Sequence, residues 1–222
     1  MLNFIKTTTL LTVIVFFFIV RFDVNEAYGD SLQLTVAIDA GHGGYDGGAE
    51  GKFSKEKDIN LKIALSLRNY LESFGIDVLM VRETDIAFNK NVRGSKKRSD
   101  LEYRINYINE SNADLFVSIH TNAMSDSRWR GAQTFYYPLD DRNKALAENI
   151  QTSIIDVLNN THRKAKGIKT LYLFKHIDKV GVLIECGFLS NPEEEQLLQD
   201  ADYQDRMAYA IYLGIVGYLS KN

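Results

Sequence analysis

A chain of 222 residues is long enough for one globular domain, and its 45% hydrophobic and 25% charged residues can supply an ordinary core. The formal net charge of −3 excludes a nucleic-acid-binding protein that relies on a basic surface, so no nucleic-acid partner is expected. The one cysteine, Cys186, excludes a disulfide within the chain.

The N-terminal segment has the pattern of an export signal. Lys6 precedes the apolar run of residues 7–20, and Arg21 follows it. The run is shorter than the roughly 18 apolar residues of a membrane-spanning helix, but the residues after it form only a weak cleavage motif. We therefore predict a signal peptide or, in preference, an uncleaved signal anchor with a short linker over residues 1–31. One domain over residues 32–222 would then lie outside the cytoplasmic membrane, to which the anchor would attach it.

Along this domain, short apolar runs alternate with helical patterns. The runs predicted as strands are 34–38, 76–81, 114–119, 132–137 and 180–185. Helices are predicted over 58–74, 100–110 and 141–158, with a helical tail from Pro192 to about Leu219. This alternation predicts an α/β fold, in which a single domain has a mostly parallel twisted sheet with helices on both faces.

The spacing of apolar residues supports the first and third of these helices. Apolar residues recur every three or four positions, which is typical of one buried helix face. In the first helix they are Ala64, Leu67, Leu71 and Phe74, and in the third they are Leu146, Ile150, Ile154 and Leu158. The polar stretch 82–99, with its basic cluster Lys96-Lys97-Arg98, is predicted to be a loop.

A glycine-rich stretch, IDAGHGGYDGGAEG over Ile38–Gly51, follows the first predicted strand. Such a loop either binds phosphate through its backbone or presents a side chain such as His42 to a metal ion. The phosphate interpretation fails, because no G-x-G-x-x-G pattern runs into a helix and no Gly-Lys-Ser/Thr motif is present. Asp39 and Asp46 in the same stretch are expected to make structural hydrogen bonds or to orient a ligand, rather than to bind metal.

Two histidines and two glutamates fall near the predicted carboxyl ends of the strands. His42 and His120 follow the first and third strands, Glu185 ends the last clear strand, and Glu56 lies just before the first long helix. In an open α/β sheet, functional residues collect at this edge. Two imidazoles and one carboxylate are a usual ligand set for catalytic zinc, and a second carboxylate can move protons during amide hydrolysis. Chemistry and spacing leave open which glutamate has which role.

Each of these residues also has an ordinary structural interpretation. A lone histidine after a strand is more often a hydrogen-bonded loop residue than a ligand, and Glu56 suits a solvated helix start. Glu185 is harder to explain in this way, because an ionised carboxylate that ends an apolar strand is costly unless it is paired. Cys186 is interpreted as a small core residue, His162 as a surface residue and His176 as a residue without a functional role.

Four ordered motifs resemble the zinc-dependent N-acetylmuramoyl-L-alanine amidases of the type-3 family: DAGHGGYDGGAEG, EKD, SIHTNA and LIECGFLSNPEE. The resemblance extends over nearly the whole chain after the leader. It implies that His42, Glu56 and His120 bind one zinc ion and that Glu185 is the catalytic general acid and base. It also implies a peptidoglycan hydrolase, whose substrate is a glycan strand with stem peptides and whose cleavage point lies between N-acetylmuramic acid and L-alanine.

A narrower resemblance, carried by RWRGAQTFYY and HRKAKGIKTLY, is to the spore-cortex enzymes of that family. It implies a role in muramic-δ-lactam formation during sporulation, at the developing spore cortex. Some family members carry a self-inhibitory helix, whereas residues 138–180 accommodate one ordinary helix and a short connection. Control by export, by expression or by a regulatory protein partner is therefore expected. Two alternatives stay open, namely a non-catalytic wall-binding protein that kept the fold and a zinc peptidase that cuts within the stem peptide.

Overall fold

The computed structural model describes residues 34–88 and 95–221, and the predicted leader lies outside them. The strands are β1 (Thr35–Ala40), β2 (Asp77–Met80), β3 (Leu115–Asn122), β4 (Gln133–Tyr136), β5 (Lys166–Gly167) and β6 (Val180–Phe188). The helices are α1 (Glu56–Ser73), α2 (Lys96–Asn109), α3 (Asp141–Leu158), α4 (Tyr172–His176), α5 (Pro192–Gln199) and α6 (Ala201–Leu219). Within these described ranges, no helix combines the length and apolar character needed to cross a membrane.

One sheet contains the six strands in the order β2-β1-β3-β6-β4-β5. Four of them, β2, β1, β3 and β6, run parallel to one another. β4 runs antiparallel to β6, and the short β5 is parallel to β4. The predicted α/β domain with a mostly parallel sheet is therefore confirmed. In the register of β3 and β6, His120 lies opposite Glu185, so two predicted site residues are neighbours across the sheet.

Helices cover both faces of this sheet, as predicted. On β3 the side chain of Val117 belongs to one buried cluster and that of Phe116 to another, because successive strand residues point to opposite faces. The larger cluster contains the buried apolar residues of α1, α3 and α6, and the smaller one contains those of α2 and α4. A completely buried side chain such as Leu67 stabilises the fold by about 1.5–3 kcal/mol. The larger cluster therefore supplies most of the apolar stabilisation.

The apolar faces predicted for α1 and α3 are buried, except at the C-terminal end of α1. In α3 every predicted stripe residue is buried: Leu146, Ile150, Ile154 and Leu158. In α1 the same holds for Ala64, Leu67 and Leu71. Phe74 is instead 58% exposed, because α1 ends at Ser73 and Gly75 turns the chain with a φ of 87°.

The start of α2 and the C-terminal helical tail differ from the prediction. The basic cluster Lys96-Lys97-Arg98 forms the first turn of α2 instead of a loop, because lysine and arginine favour helices although they add no apolar periodicity. The predicted helical tail consists of two helices, α5 and α6, which Asp200 separates. The Asp200 carboxylate accepts a hydrogen bond from the backbone N–H of Tyr203 and so caps the start of α6.

Candidate metal centre

His42, Glu56 and His120 meet at the carboxyl ends of β1 and β3. Each offers one ligand atom, and these atoms all lie within 4.8 Å of one another. The two histidine rings stand nearly perpendicular, with centroids 5.1 Å apart. Glu56 is the first residue of α1 rather than a residue before it, and His120 lies within β3 rather than after it. The structure thus brings together the three residues that the sequence singled out as metal ligands.

The conformation of His42 directs one ring nitrogen towards the cluster. Its backbone adopts a left-handed φ of 63°, which is uncommon for a residue other than glycine. Its Nδ1 lies 2.9 Å from the Asp46 carboxylate, and its Nε2 lies 3.2 Å from Glu56 Oε2. Because Asp46 engages Nδ1, it fixes the ring orientation and leaves Nε2 available to a metal ion. The predicted orienting role of Asp46 is consistent with this geometry.

Glu56 is buried and surrounded by hydrogen-bond donors. Its Oε2 accepts a bond from the backbone N–H of Ala49 at 2.7 Å, and its Oε1 accepts one from that of Thr121 at 3.1 Å. The Asn60 amide donates a third bond at 3.3 Å, and His120 Nδ1 lies 2.8 Å from Oε1. Burial raises the pKa of Glu56, but the hydrogen bonds and charges of the two histidine rings hold that pKa well below its usual range. Glu56 is therefore a fixed carboxylate at neutral pH.

Two glycines permit this close approach of the ligands. A Cβ atom at Gly41 would overlap the ring of His120. At Gly48, which has a φ of 72°, a Cβ would lie 2.7 Å from His42 Cδ2 and would also meet the Glu56 side chain. The glycine-rich stretch thus leaves room for the ligand side chains as well as turning the chain after β1.

Two buried arginines, which the sequence analysis missed, hold the backbone around the ligands. Arg82 is 2% exposed and donates hydrogen bonds to the carbonyls of Ala40 at 2.7 Å, Gly41 at 3.0 Å and Lys57 at 2.7 Å. It therefore joins the loop before His42 to the first turn of α1, which carries Glu56. Burial, together with the charge of Arg104, lowers the pKa of Arg82 to about 10, so the side chain stays protonated at neutral pH.

The second arginine, Arg104, holds the carbonyl of His42 itself. Its Nη2 donates to that carbonyl at 2.7 Å, and its other nitrogens pair with Asp39 and Asp100, each at 2.6 Å. Asp39 also accepts a hydrogen bond from the Ser118 hydroxyl at 2.8 Å. Asp39 is thus part of a buried network beneath the ligands, as the structural interpretation of this residue predicted.

Glu185 lies beside the three ligands in a different environment. It is opposite His120 in the pairing of β3 with β6, and its Oε2 is buried without a hydrogen-bond partner among the described residues. Burial raises the pKa of Glu185 to about 7, although the charge of His120 opposes this rise. Such a carboxyl group can both hold and release a proton near neutral pH.

The donors at this centre fit a zinc ion. Two ring nitrogens and one carboxylate are available, and this set leaves a coordination position open for water or substrate. The residues that were predicted to have no role in the site lie outside the ligand cluster. Cys186 is buried, as predicted for a core residue, and His162 and His176 are exposed. The arrangement is suited to metal-assisted hydrolysis with a carboxyl group that transfers protons.

Comparisons with known proteins agree with this geometry. Residues 36–216 match the Amidase_3 family, which is described as N-acetylmuramoyl-L-alanine amidase. The chain is 42% identical over 216 residues to the germination-specific N-acetylmuramoyl-L-alanine amidase of Bacillus subtilis, and the alignment covers 94% of this chain and 91% of that one. It is 34% identical to N-acetylmuramoyl-L-alanine amidase LytC of the same organism, over 83% of this chain and 35% of LytC.

A solved structure with the same fold is that of the CwlD amidase from Clostridioides difficile, in complex with the GerS lipoprotein. The two folds superpose with a TM-score of 0.82 at 43% sequence identity. The match covers 85% of this chain and all of that one. The similarity therefore extends over most of the chain.

Proposed function

The chain belongs to the N-acetylmuramoyl-L-alanine amidase family, and from this premise we propose that it is a zinc-dependent peptidoglycan hydrolase. Its substrate is a glycan strand with stem peptides, and it cleaves the amide between N-acetylmuramic acid and L-alanine. One observation carries the proposal: His42, Glu56 and His120 place their ligand atoms within 4.8 Å of one another. Glu185 lies next to this cluster, opposite His120 across the sheet.

We assign the chemistry to these four residues as follows. His42, Glu56 and His120 would hold one zinc ion, which when bound polarises the scissile carbonyl and makes water more acidic. Glu185 accepts the proton of the attacking water and then donates it to the departing nitrogen of L-alanine. The Oε2 atom of Glu185 supports this role, because no described group makes a hydrogen bond to that oxygen. Asp46 orients the ring of His42, and Arg82 and Arg104 keep the ligand-bearing backbone in place.

We further propose that the enzyme acts in the spore cortex, where peptide removal precedes formation of muramic-δ-lactam. The similarity to the germination-specific enzyme of Bacillus subtilis, over nearly the full length of both chains, supports this role. Action outside the cytoplasm follows from a peptidoglycan substrate. The predicted leader over residues 1–31 would supply export and, if it stays uncleaved, attachment to the membrane.

We also propose that a protein partner regulates the enzyme. The similar CwlD amidase was solved in complex with the GerS lipoprotein, which supports a partner on the outer side of the membrane. A purified protein whose hydrolysis rate rises when a lipoprotein of that kind is added would agree with the proposal. Full activity of the purified protein alone, unchanged by the lipoprotein, would contradict partner dependence.

The decisive experiment is a mass-spectrometric analysis of digested peptidoglycan. The proposal predicts release of intact stem peptides, loss of that release in a chelator, and its return when zinc is added. Shortened peptides that remain on the sugar would instead identify a zinc peptidase. No release under any of these conditions, with or without the lipoprotein, would favour a non-catalytic wall-binding protein.

A further inference from the structure

The basic cluster of α2 lies beside the candidate metal centre and is not part of its ligand set. We call Lys96, Lys97 and Arg98 the basic rim. Lys97 Nζ lies 2.9 Å from the Asp46 carboxylate, the Lys96 ammonium lies 5.8 Å from the ring centroid of Tyr45, and the Arg98 guanidinium lies 3.6 Å from that of Tyr172. Each residue of the rim thus contacts a segment that borders the site.

The dipole of α2 does not favour this cluster. Positive charges near a helix N-terminus oppose the helix dipole, and the first turn of α2 contains no acidic residue that would offset them. The side chain of Lys97 is 68% exposed although it is paired with Asp46. An exposed ammonium with three N–H donors can bind a further anion while it keeps this pair.

A cavity of about 360 Å³ lies between the basic rim and the metal centre. His42, His120 and Lys97 border it. Asp46 and Asp100 border it too, and their carboxylates pair with Lys97 and Arg104. Much of the remaining wall is aliphatic and is formed by Leu101, Leu171, Leu173 and Leu183. The cavity therefore combines a metal-facing end, an apolar wall and a cationic edge.

We infer that this cavity is the subsite for the stem peptide, in which Lys97 pairs with a carboxylate of the residue that follows L-alanine. The inference rests on the proposed function, which puts the scissile amide at His42 and His120. The alanine methyl group, two bonds from the nitrogen of that amide, then lies against the aliphatic wall. A carboxylate on the next residue reaches the cationic edge.

The chemistry of the substrate favours the peptide over the glycan as the occupant. The lactyl carboxyl of N-acetylmuramic acid is consumed in the amide that is cleaved, so an N-acetylated glycan strand carries no carboxylate at that position. The carboxylates of the substrate are on its peptides. A subsite with an ammonium and an aliphatic wall therefore matches the peptide and gives no advantage to the sugar.

The test compares two batches of the same solubilised glycan strands. The amines of both batches are acetylated, and the peptide carboxylates of one batch are then amidated with carbodiimide and ammonia. For the wild-type enzyme we expect kcat/KM for stem-peptide release to be about fivefold higher on the free carboxylates, as for an exposed ion pair of about 1 kcal/mol. This preference should weaken as salt is added.

Three variants assign the preference to Lys97. Lys97→Gln should abolish it, mainly through a higher KM for the free-carboxylate batch, so that the two batches are cleaved with equal kcat/KM. Lys97→Arg should retain it, because the positive charge is kept. Lys62→Gln, which removes an exposed lysine on α1, is the matched control and should behave like the wild type.

Binding of uncleaved strands to Glu185→Gln, with and without Lys97→Gln, gives a second readout that needs no turnover. Equal cleavage and equal binding of the two batches by proteins that carry Lys97 would overturn the inference. So would a preference that survives Lys97→Gln. If neither batch yields intact stem peptides, the proposed function fails, and the binding comparison still decides whether Lys97 selects carboxylates.

Discussion

The two glutamates of the candidate metal centre lie in opposite environments. At the start of α1, both oxygens of Glu56 accept hydrogen bonds, and the pKa of its carboxyl is held well below the usual range. Near the end of β6, Glu185 has a buried oxygen without a described partner, and burial raises its pKa to about 7. Two chemically identical groups thus receive different proton affinities from their surroundings.

This difference separates two roles that the residue types alone leave open. A carboxylate that is fixed and always ionised is suited to bind a cation. A carboxyl that has a free oxygen and titrates near neutral pH is suited to transfer protons. The contrast supports the assignment of Glu56 as a ligand and Glu185 as the acid and base, independently of the family resemblance.

The largest effect is expected when one of the three metal ligands is removed. His120→Ala removes one of the three donors and leaves Glu56 without the ring that lies 2.8 Å from its Oε1. We expect zinc content to fall from one ion per chain to a small fraction of that, with no measurable release of stem peptides. Elemental analysis of the purified variant, beside the wild type prepared in the same buffer, measures the loss. A variant with one zinc ion per chain would contradict the ligand assignment.

On the other side of the comparison, Glu185→Gln should remove hydrolysis and spare the metal. General acid and base catalysis contributes a factor of roughly 10²–10⁴ in rate, and we expect a loss of this size in kcat with unchanged zinc content. Steady-state release of stem peptides and elemental analysis together give the result. Retained activity, or a variant that loses its zinc, would show that the two glutamates are not divided in this way.

The contrast also predicts how stability depends on pH in metal-free protein. Glu185 has a folded pKa of about 7, above the ordinary value of 4.5, so its protonated form stabilises the fold fully below pH 4.5, and this contribution is lost as pH rises through 7. Between pH 4.5 and 8, the unfolding free energy of Glu185→Gln should therefore fall by about 3 kcal/mol less than that of the wild type. Urea unfolding of both proteins in a chelator measures it.

The opposite sign is expected for Glu56. Its folded pKa is lowered, so its contribution to the unfolding free energy is present above the unfolded pKa and is lost as the pH falls. Glu56→Gln should therefore reduce the acid sensitivity of the metal-free protein rather than its alkaline sensitivity. Parallel pH profiles for the two glutamine variants would contradict the comparison.

The smallest of these effects concerns the residue that orients His42. Asp46→Ala removes the carboxylate that lies 2.9 Å from His42 Nδ1 but leaves all three ligands. Loss of such an orienting partner lowers metal affinity by about tenfold to a hundredfold. Competition with a zinc-binding dye measures the affinity, and Asp178→Ala, at an exposed aspartate of the loop before β6, is a control. An unchanged affinity would show that Glu56 alone fixes the ring.

The four central residues could be predicted from the sequence because the fold class was readable. Once strands alternate with helices, the strand ends define one edge, and the residues near them become candidates. His42, Glu56 and His120 are brought together as this rule predicts, and Glu185 lies opposite His120. Their catalytic roles remain predictions that the variants above test.

The supporting residues could not be predicted in the same way. Arg82 directly follows the predicted strand 76–81 and so meets the strand-end criterion, but it is not a metal ligand and its partners are backbone carbonyls. Arg104 lies within α2, and its contact with Asp39 depends on how α2 packs against the sheet. Asn60 lies within α1, and its hydrogen bond to the carbonyl of Gly41 depends in the same way on the packing of α1. The antiparallel direction of β4 is likewise set by tertiary pairing, which apolar patterning does not encode.

The ligand residues come from three separate places in the chain: a loop after β1, the start of α1 and the C-terminal part of β3. No short unfolded segment contains all three, so a metal ion held by them binds the folded chain far better than the unfolded one. By mass action, each tenfold rise in free metal above the Kd then adds about 1.4 kcal/mol to the unfolding free energy. A shortage of zinc would therefore lower the stability of the fold as well as stop the reaction.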